Sequence, residues 1–218
     1  MAEEIVLAME IGIKLINFIG KSFDEAESIT ELTNVLEGLG FEDKGERKLG
    51  GDKKDSRYKY DKNRCEKYSC KEKSKGKTIT HRCLGGIYIF SITDKNDEKI
   101  NLDSFTKLWN ERTTTNIPLV NEKYNDKYLY VGKDINNLNN RISNHFGKGG
   151  GSTYALKLAS EDKTESEDKA TKPKIKDYNI TCHRFTLNYD FPEYARAGYI
   201  AMIESILHEK LKPILGKK

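Results

Sequence analysis

Two short runs of apolar and aromatic residues, each bordered by glycine, constrain the fold of this chain more than any other feature. Residues 84–93 are apolar and rich in isoleucine, and they contain the triplet Gly86-Ile87-Tyr88. Residues 128–132 form a second compact run, which ends in Tyr130-Val131-Gly132. Runs of β-branched and aromatic residues bounded by turn-forming residues are typical of β-strands. Both runs are therefore predicted to be strands of one central sheet.

Patterns typical of helices lie before those two segments. Apolar residues recur at helical spacing in residues 3–20 and again in residues 22–39. Ser22 and Glu25 have the spacing of a capping box at the start of the second helix. We therefore expect two helices ahead of the first central strand.

The remaining elements are predicted from similar local signals. They are a short helix near residues 102–109, a helix at 136–146, the start of a helix at 152–160, a strand at 178–188 and a long closing helix at 190–211. This order predicts an α+β fold with a small sheet flanked by helices. Residues 1–83 are interpreted as an N-terminal helical and basic extension, and residues 84–218 as the core.

Basic residues are concentrated ahead of the first central strand. Between Asp43 and Arg82 there are 15 Lys and Arg residues against 7 Asp and Glu residues, whereas the net charge of the chain is only +4. Such a segment suits the phosphate backbone of a nucleic acid, although a solvated loop would have the same composition. Residues 45–77 are predicted to be a long loop or a weak hairpin. Their tyrosines would either stack on bases or lie in an edge strand.

The N-terminus and the cysteines bear on the compartment and on metal binding. The first apolar stretch is interrupted by charged residues, which fits neither a signal peptide nor a membrane span, so a cytoplasmic protein without a membrane partner is expected. Cysteines in that compartment are reduced. A structural zinc site would need four ligands, and the residues available nearby in sequence are Cys65, Cys70, His81 and Cys83. Their irregular spacing favours unligated thiols.

Three residues in the predicted helices have the chemistry that phosphodiester hydrolysis requires. Arg141 and His145 are one helical turn apart and project from the same face, so both can reach one phosphate. Arginine matches phosphate geometry, and histidine can exchange a proton near neutral pH. Glu204 lies among apolar neighbours of the closing helix, where a carboxylate needs a metal ion or a basic partner such as Arg141 or Arg196.

The two strand tyrosines complete this candidate set. Tyr88 and Tyr130 are flanked by glycine, which lets a phenol approach a ligand without neighbouring bulk. A tyrosine takes up a proton at neutral pH only if cations lie nearby, and either residue could instead be an ordinary buried tyrosine. Lys133 follows the second triplet directly and could contact phosphate, as could any exposed lysine at the end of a strand.

Taken in order, the two triplets, Arg141, His145 and Glu204 resemble the motifs of the GIY-YIG nuclease family. The resemblance covers residues from Gly85 to about Leu215, and the position of His145 is most similar to the family's restriction endonucleases. It implies a small mixed sheet flanked by helices and one divalent metal ion, Mg²⁺ or Mn²⁺, on Glu204. It also implies that a tyrosine or a histidine assists water. Tyr88 would be the general base, Tyr88 with His145 would activate water or relay protons, and Tyr130 would support the site.

The chain departs from the family pattern in three ways, of which the two insertions affect the substrate assignment more than the core, and the missing asparagine affects the support of the site. Tyr88 and Tyr130 are separated by an insertion, a second insertion precedes Glu204, and the terminal asparagine of many members is missing after Leu211. The resulting prediction is a metal-dependent DNA endonuclease, plausible as a type II restriction enzyme and as a homodimer. The alternatives are a repair or mobile-element nuclease, a nucleic-acid-binding module without activity, and a zinc-organised interaction protein.

Overall fold

The computed structural model describes residues 16–49, 71–74, 77–80, 85–135, 138–147, 154–159, 174–187 and 193–216. In chain order, the described elements are α1 (residues 16–24), α2 (Ile29–Gly38), β1 (Phe41–Leu49), β2 (Lys71–Ser74), β3 (Lys77–Thr80), β4 (Gly86–Thr93), α3 (Leu102–Asn110), β5 (Leu119–Val120), β6 (Tyr128–Asp134), α4 (Leu138–Phe146), a 3₁₀ turn (Ile175–Asp177), β7 (Asn179–Leu187), α5 (Glu193–Leu211) and β8 (Leu215–Gly216). The α+β class predicted from the sequence is confirmed.

The central sheet has the strand order β1-β7-β4-β6. Tyr88 of β4 lies opposite Gly132 of β6 on one side and opposite Arg184 of β7 on the other. Every pairing between the described strands is antiparallel, so the mixed sheet implied by the family resemblance is not observed. Each strand of this sheet runs opposite to its spatial neighbours. A mixed sheet would need a crossover connection between two parallel neighbours, and no described pair of strands is parallel.

The two faces of the sheet carry two hydrophobic clusters. Alternate residues of β4 point to opposite faces, so Tyr88 and Phe90 belong to one cluster while Ile87 and Ile89 belong to the other. The first cluster, called here the aromatic face, is covered by α3 and α4. The second is covered by α1, α2 and α5, whose buried residues include Ile19, Phe23, Leu32, Leu36, Ile200, Ile203, Leu207 and Leu211.

The described residues 16–49, which precede the predicted core at 84–218, are part of this architecture. Strand β1 forms an edge of the central sheet by pairing with β7, and α1 and α2 share the second hydrophobic cluster with α5. A bulge between Asp43 and Glu46 is accommodated by Gly45, whose φ of 73° is favourable only for glycine. The expected N-terminal extension thus supplies a strand and two helices to the same core as the later elements.

Three local predictions need correction. Ser28, not Ser22, caps the second helix: its hydroxyl accepts the Glu31 N–H at 3.2 Å while the Glu31 carboxylate accepts the Ser28 N–H at 2.9 Å. Residues 45–49 belong to strand β1 of the central sheet and not to a loop or weak hairpin, whereas β2 and β3 pair antiparallel, in agreement with the hairpin alternative. Residues 154–159 contain no helix, because tertiary contacts hold this segment in an irregular conformation.

Candidate functional site

The two triplet tyrosines stand side by side on the aromatic face. In the ladder between β4 and β6, Phe90 pairs with Tyr130 and Tyr88 pairs with Gly132, which places the tyrosines one step apart on the same face. Their ring centroids are 6.2 Å apart with an interplanar angle of 25°. Both side chains are buried, at 0% and 1% exposed.

The glycines of the two triplets make room for this arrangement. A Cβ atom on Gly132 would overlap the Tyr88 hydroxyl and would lie 2.6 Å from its Cζ atom. A Cβ atom on Gly86 would overlap the backbone carbonyl of Phe185 in the neighbouring strand β7. Glycine is therefore needed at one position so that the phenol fits, and at the other so that two strands can approach.

Helix α4 brings two polar side chains to the Tyr88 hydroxyl. The oxygen of Tyr88 lies 2.7 Å from Nε2 of His145, and Nε of Arg141 donates to the same oxygen at 3.3 Å. The Arg141 side chain also forms a hydrogen bond with Tyr130. The helical spacing predicted from the sequence thus places both side chains beside the tyrosines.

Burial determines the protonation of this group. It raises the pKa of Tyr88 well above its usual value, Tyr130 adds to the rise, and the charge of Arg141 opposes it. It also raises the pKa of Tyr130, again against Arg141. For His145, which is fully buried, burial and then the charge of Arg141 lower the pKa well below its usual value. Both tyrosines are therefore phenols and His145 is a neutral imidazole at pH 7.

His145 has a second partner inside the protein. Its Nδ1 atom accepts the backbone N–H of Leu156 at 3.0 Å. A neutral imidazole carries one hydrogen, so Nε2 holds it and donates it to Tyr88. His145 lies behind Tyr88, and it is not among the residues that line the cavity described next.

Glu204 reaches the same region from α5. Its side chain is only 5% exposed, and its Oε2 lies 2.6 Å from Nζ of Lys133 on β6. This ion pair compensates a buried carboxylate, which would otherwise be strongly destabilising. The sequence predicts Arg141 or Arg196 as the basic partner of Glu204, and it predicts for Lys133 only a contact with phosphate. The structure instead pairs Glu204 with Lys133.

One cavity connects these residues. It has a volume of about 340 Å³, and it is lined by Tyr88, Tyr130, Lys133, Asp134, Ile135, Arg141 and Glu204. Strand β6 lies at the end of the strand order of the central sheet, so side chains of both faces can meet around its edge. Tyr88, Tyr130, Lys133, Arg141 and Glu204 are thereby brought together from four elements.

A metal ion at this cavity would have Glu204 as its protein ligand. No cluster of three or more His, Cys, Asp or Glu side chains suited to a metal ion occurs within the described part of the chain. A single carboxylate fits Mg²⁺, which keeps several of its waters and takes further oxygens from a substrate phosphate. It would not suffice for a closed zinc site. The candidate zinc ligands Cys65, Cys70, His81 and Cys83 lie outside the described residues.

Some residues around the site were not identified from the sequence. Asp134 and Ile135 line the cavity, and their position directly after Lys133 in a strand end could have indicated them. Leu156 contributes only its backbone N–H, and no property of its side chain marks that contact.

Comparisons with known proteins do not assign the chain to a family. No protein-family model, curated protein or solved structure was found to match it. Among the described helices, none is both long and apolar enough to cross a membrane.

Proposed function

We propose that this protein is a divalent-metal-dependent endonuclease of the GIY-YIG type that hydrolyses phosphodiester bonds in DNA in the cytoplasm. One observation carries the proposal: a phenol, a guanidinium and a buried carboxylate from three distant parts of the chain line a single cavity. Phosphodiester hydrolysis needs a base for water, a cation for the phosphate and stabilisation of the leaving oxygen. Tyr88 supplies the base and Arg141 the cation, and Glu204 would hold the metal ion that stabilises the leaving oxygen.

Arg141 binds the scissile phosphate in this proposal. Its guanidinium lines the cavity, and it is already held by hydrogen bonds to Tyr88 and Tyr130. Burial acts against its charge, but the contacts with the tyrosine oxygens outweigh this effect and raise the pKa of Arg141. The group therefore stays cationic throughout turnover, in a fixed orientation.

Tyr88 is the proposed general base. Its oxygen receives N–H groups from His145 and Arg141, and both contacts favour the phenolate over the phenol. The phenolate accepts one proton from the attacking water and becomes a phenol. The water oxygen forms the new P–O bond, the P–O bond to the leaving sugar oxygen breaks, and the leaving oxygen takes up a proton from solvent. Burial keeps the phenolate rare at neutral pH, so the reaction is expected to be faster at alkaline pH.

Glu204 and Lys133 also line the cavity as an ion pair. Glu204 would hold Mg²⁺ or Mn²⁺, which when bound offsets the negative charge that develops on the phosphate oxygens. Lys133 neutralises the carboxylate, and because it lines the cavity it can also contact the phosphate. Tyr130 supports the site by holding Arg141.

A plasmid assay tests the class of activity. Purified protein is incubated with supercoiled DNA, with Mg²⁺ or Mn²⁺ or with a chelator. Metal-dependent conversion to discrete linear fragments supports a type II restriction enzyme, which as a homodimer would cut both strands. Nicking at lesions or branches supports a repair or mobile-element nuclease. Binding without cleavage at any divalent metal would support a module without activity and contradict the proposal.

A further inference from the structure

A buried arginine outside the cavity holds the segment 154–159 in place. Arg112 follows α3 and is only 8% exposed, and its two terminal nitrogens donate to the carbonyls of Leu156 at 2.9 Å and Lys157 at 2.8 Å. Its guanidinium also stacks over the ring of Trp109, 4.7 Å from the centroid. The planar fork of arginine suits two adjacent carbonyls, and lysine could not replace both contacts.

Further contacts fix the same segment on both sides. Ala155 N–H donates to Asn116 O at 3.2 Å, and Leu158 N–H donates to His145 O at 2.9 Å. Lys157 adopts a φ of 49°, which is unfavourable for a residue with a Cβ, and its ammonium donates to Thr115 O at 2.8 Å. A strained backbone of this kind persists only where the surroundings impose it.

These contacts fix the direction of one backbone amide, the N–H of Leu156. The Leu156 N–H points at Nδ1 of His145 at 3.0 Å. A backbone N–H can only donate, so Nδ1 must carry a lone pair, and the hydrogen of the neutral ring must be on Nε2. That hydrogen lies between Nε2 and the Tyr88 oxygen, which are 2.7 Å apart.

We infer that Arg112 is a positioning residue that, through segment 154–159, holds His145 in the Nε2–H tautomer as a hydrogen-bond donor to Tyr88. His145 is then unable to accept the proton of Tyr88 or of a water at Nε2, contrary to the proton relay expected from the sequence. The tautomer is a property of the fold. Only its consequence for cleavage rests on the proposed function.

The low affinity of His145 for a second proton is consistent with this role. An imidazolium would need a hydrogen on Nδ1, which would break the contact with Leu156 and set two N–H groups against each other. Burial, followed by the neighbouring charge of Arg141, also disfavours the imidazolium by lowering the pKa of His145. The ring therefore remains a neutral donor to the Tyr88 oxygen beside the Nε–H of Arg141.

The tautomer can be measured without any activity. The whole chain is labelled with ¹⁵N-histidine, and the signals of His145 are identified among the four histidines by their loss in His145→Gln. Correlations between the ring nitrogens and the ring protons distinguish the two neutral tautomers from the imidazolium. We expect a single Nε2–H tautomer at neutral pH. An Nδ1–H tautomer or an imidazolium would overturn the inference, whether or not the protein cleaves DNA.

The role of Arg112 is tested by Arg112→Gln, with Asn121→Ala as the control. Asn121 donates to Pro213 O at 2.7 Å, so Asn121→Ala removes a partly buried contact to a carbonyl that does not belong to segment 154–159. We expect Arg112→Gln to give a mixture of His145 tautomers and to lower kcat for cleavage about 10- to 100-fold with KM changed less than about twofold. Asn121→Ala should retain the wild-type tautomer and kcat.

The outcomes separate this inference from the proposed function. A folded Arg112→Gln protein with an unchanged tautomer and unchanged kcat would overturn the positioning role. If wild-type protein does not cleave DNA but shows the Nε2–H tautomer, which becomes mixed in Arg112→Gln, the proposed function fails and the positioning role stands. If Arg112→Gln does not fold, Arg112→Lys keeps the charge and one carbonyl contact, and an intermediate tautomer mixture is expected.

Discussion

At the scale of single residues, the chemistry of the site depends on what surrounds the Tyr88 oxygen. Two N–H donors face it, and burial in the aromatic face shields it from bulk solvent, although Tyr88 lines the cavity. Burial outweighs the donors, because the pKa of Tyr88 is raised and not lowered. Tyr88 is therefore a base that is strong when ionised but seldom ionised at neutral pH.

This balance predicts the pH dependence of cleavage. Below a raised pKa, the phenolate fraction grows about tenfold with each pH unit, so kcat/KM should rise with a slope near one between about pH 6.5 and pH 9. His145 stays neutral over this range, so no inflection near its ordinary pKa of about 6.5 is expected. Initial cleavage rates at constant metal concentration measure the profile. A plateau that begins near neutral pH would contradict Tyr88 as the base.

The ion pair between Lys133 and Glu204 predicts how the site responds to a metal ion. The Lys133 ammonium lies where it neutralises the carboxylate, so a divalent cation must compete with it. Replacing Lys133 with methionine should tighten Mn²⁺ binding by at least about 10-fold, or ~1.4 kcal/mol. Isothermal titration calorimetry measures this without any reaction.

The matched control for that measurement is Lys127→Met, because Lys127 lies just before β6 and its ammonium contacts the Glu27 carbonyl at 3.5 Å. Lys127→Met should leave Mn²⁺ binding unchanged. If Lys133→Met binds Mn²⁺ no more tightly than wild type, the ammonium does not compete for Glu204.

At the scale of secondary-structure elements, the packing of β6 against the Tyr88 ring of β4 requires glycine at position 132, because glycine has no side chain. Gly132→Ala would place a methyl group against the Tyr88 ring and hydroxyl, and the rigid ring cannot move without disturbing Phe90 and His145. We expect the free energy of unfolding to fall by about 1–3 kcal/mol and cleavage to fall with it. Denaturant titration measures the loss.

Gly38→Ala serves as the comparison for that variant. A Cβ atom on Gly38 would meet no atom within 4 Å, and Gly38 is the last residue of α2. Alanine should therefore be neutral or slightly stabilising there. Equal destabilisation by both substitutions would show that Gly132 has no special role in accommodating Tyr88.

The elements that position the site were largely predictable because their signals are local. Strands β4 and β6 have apolar sequences bounded by glycine, and helices α4 and α5 have periodic apolar residues, so each could be located without its neighbours. Tyr88, Arg141 and Glu204 could then be assigned to those elements. Their meeting in one cavity remained an expectation that rested on a resemblance.

Other features depend on contacts between distant parts of the chain. Strand β1 has the sequence FEDKGERKL, whose charges do not indicate a strand, and it forms because β7 offers an edge to pair with. Segment 154–159 is irregular because Arg112 and His145 bind its backbone. Local sequence patterns carry no information about such partners, and for the same reason the Lys133–Glu204 ion pair was not predicted.

At the scale of the whole molecule, two histidines link folding to pH, the buried His145 and the half-buried His183. Burial lowers the pKa of both His145 and His183, although Glu46 opposes the effect at His183. When the pH falls below about 6.5, the unfolded chain binds protons at these sites more readily than the folded chain does. Stability is therefore full above that pH and declines below it, by up to about 1.4 kcal/mol per pH unit for each histidine.

Denaturant unfolding at several pH values between about 5 and 7.5 tests this linkage. The His183→Gln variant should lose less stability than wild type as the pH falls, because one of the two groups no longer takes up a proton. It keeps the cavity intact, since His183 is not part of it. Wild-type stability that is constant across this range would contradict the assignment of both rings as neutral.

If Tyr88 and Glu204 act at one hydrolytic centre, as we propose, metal-dependent cleavage of plasmid DNA by matched variants tests their shared role most directly. The control for Tyr88→Phe is Tyr128→Phe, because Tyr128 is a buried tyrosine of β6 in the second hydrophobic cluster. The control for Glu204→Gln is Glu209→Gln, because Glu209 is an exposed residue of the same helix. We expect Tyr88→Phe and Glu204→Gln each to reduce cleavage at least about 100-fold, and both controls to retain it. Cleavage that survives in Tyr88→Phe and Glu204→Gln would contradict the account.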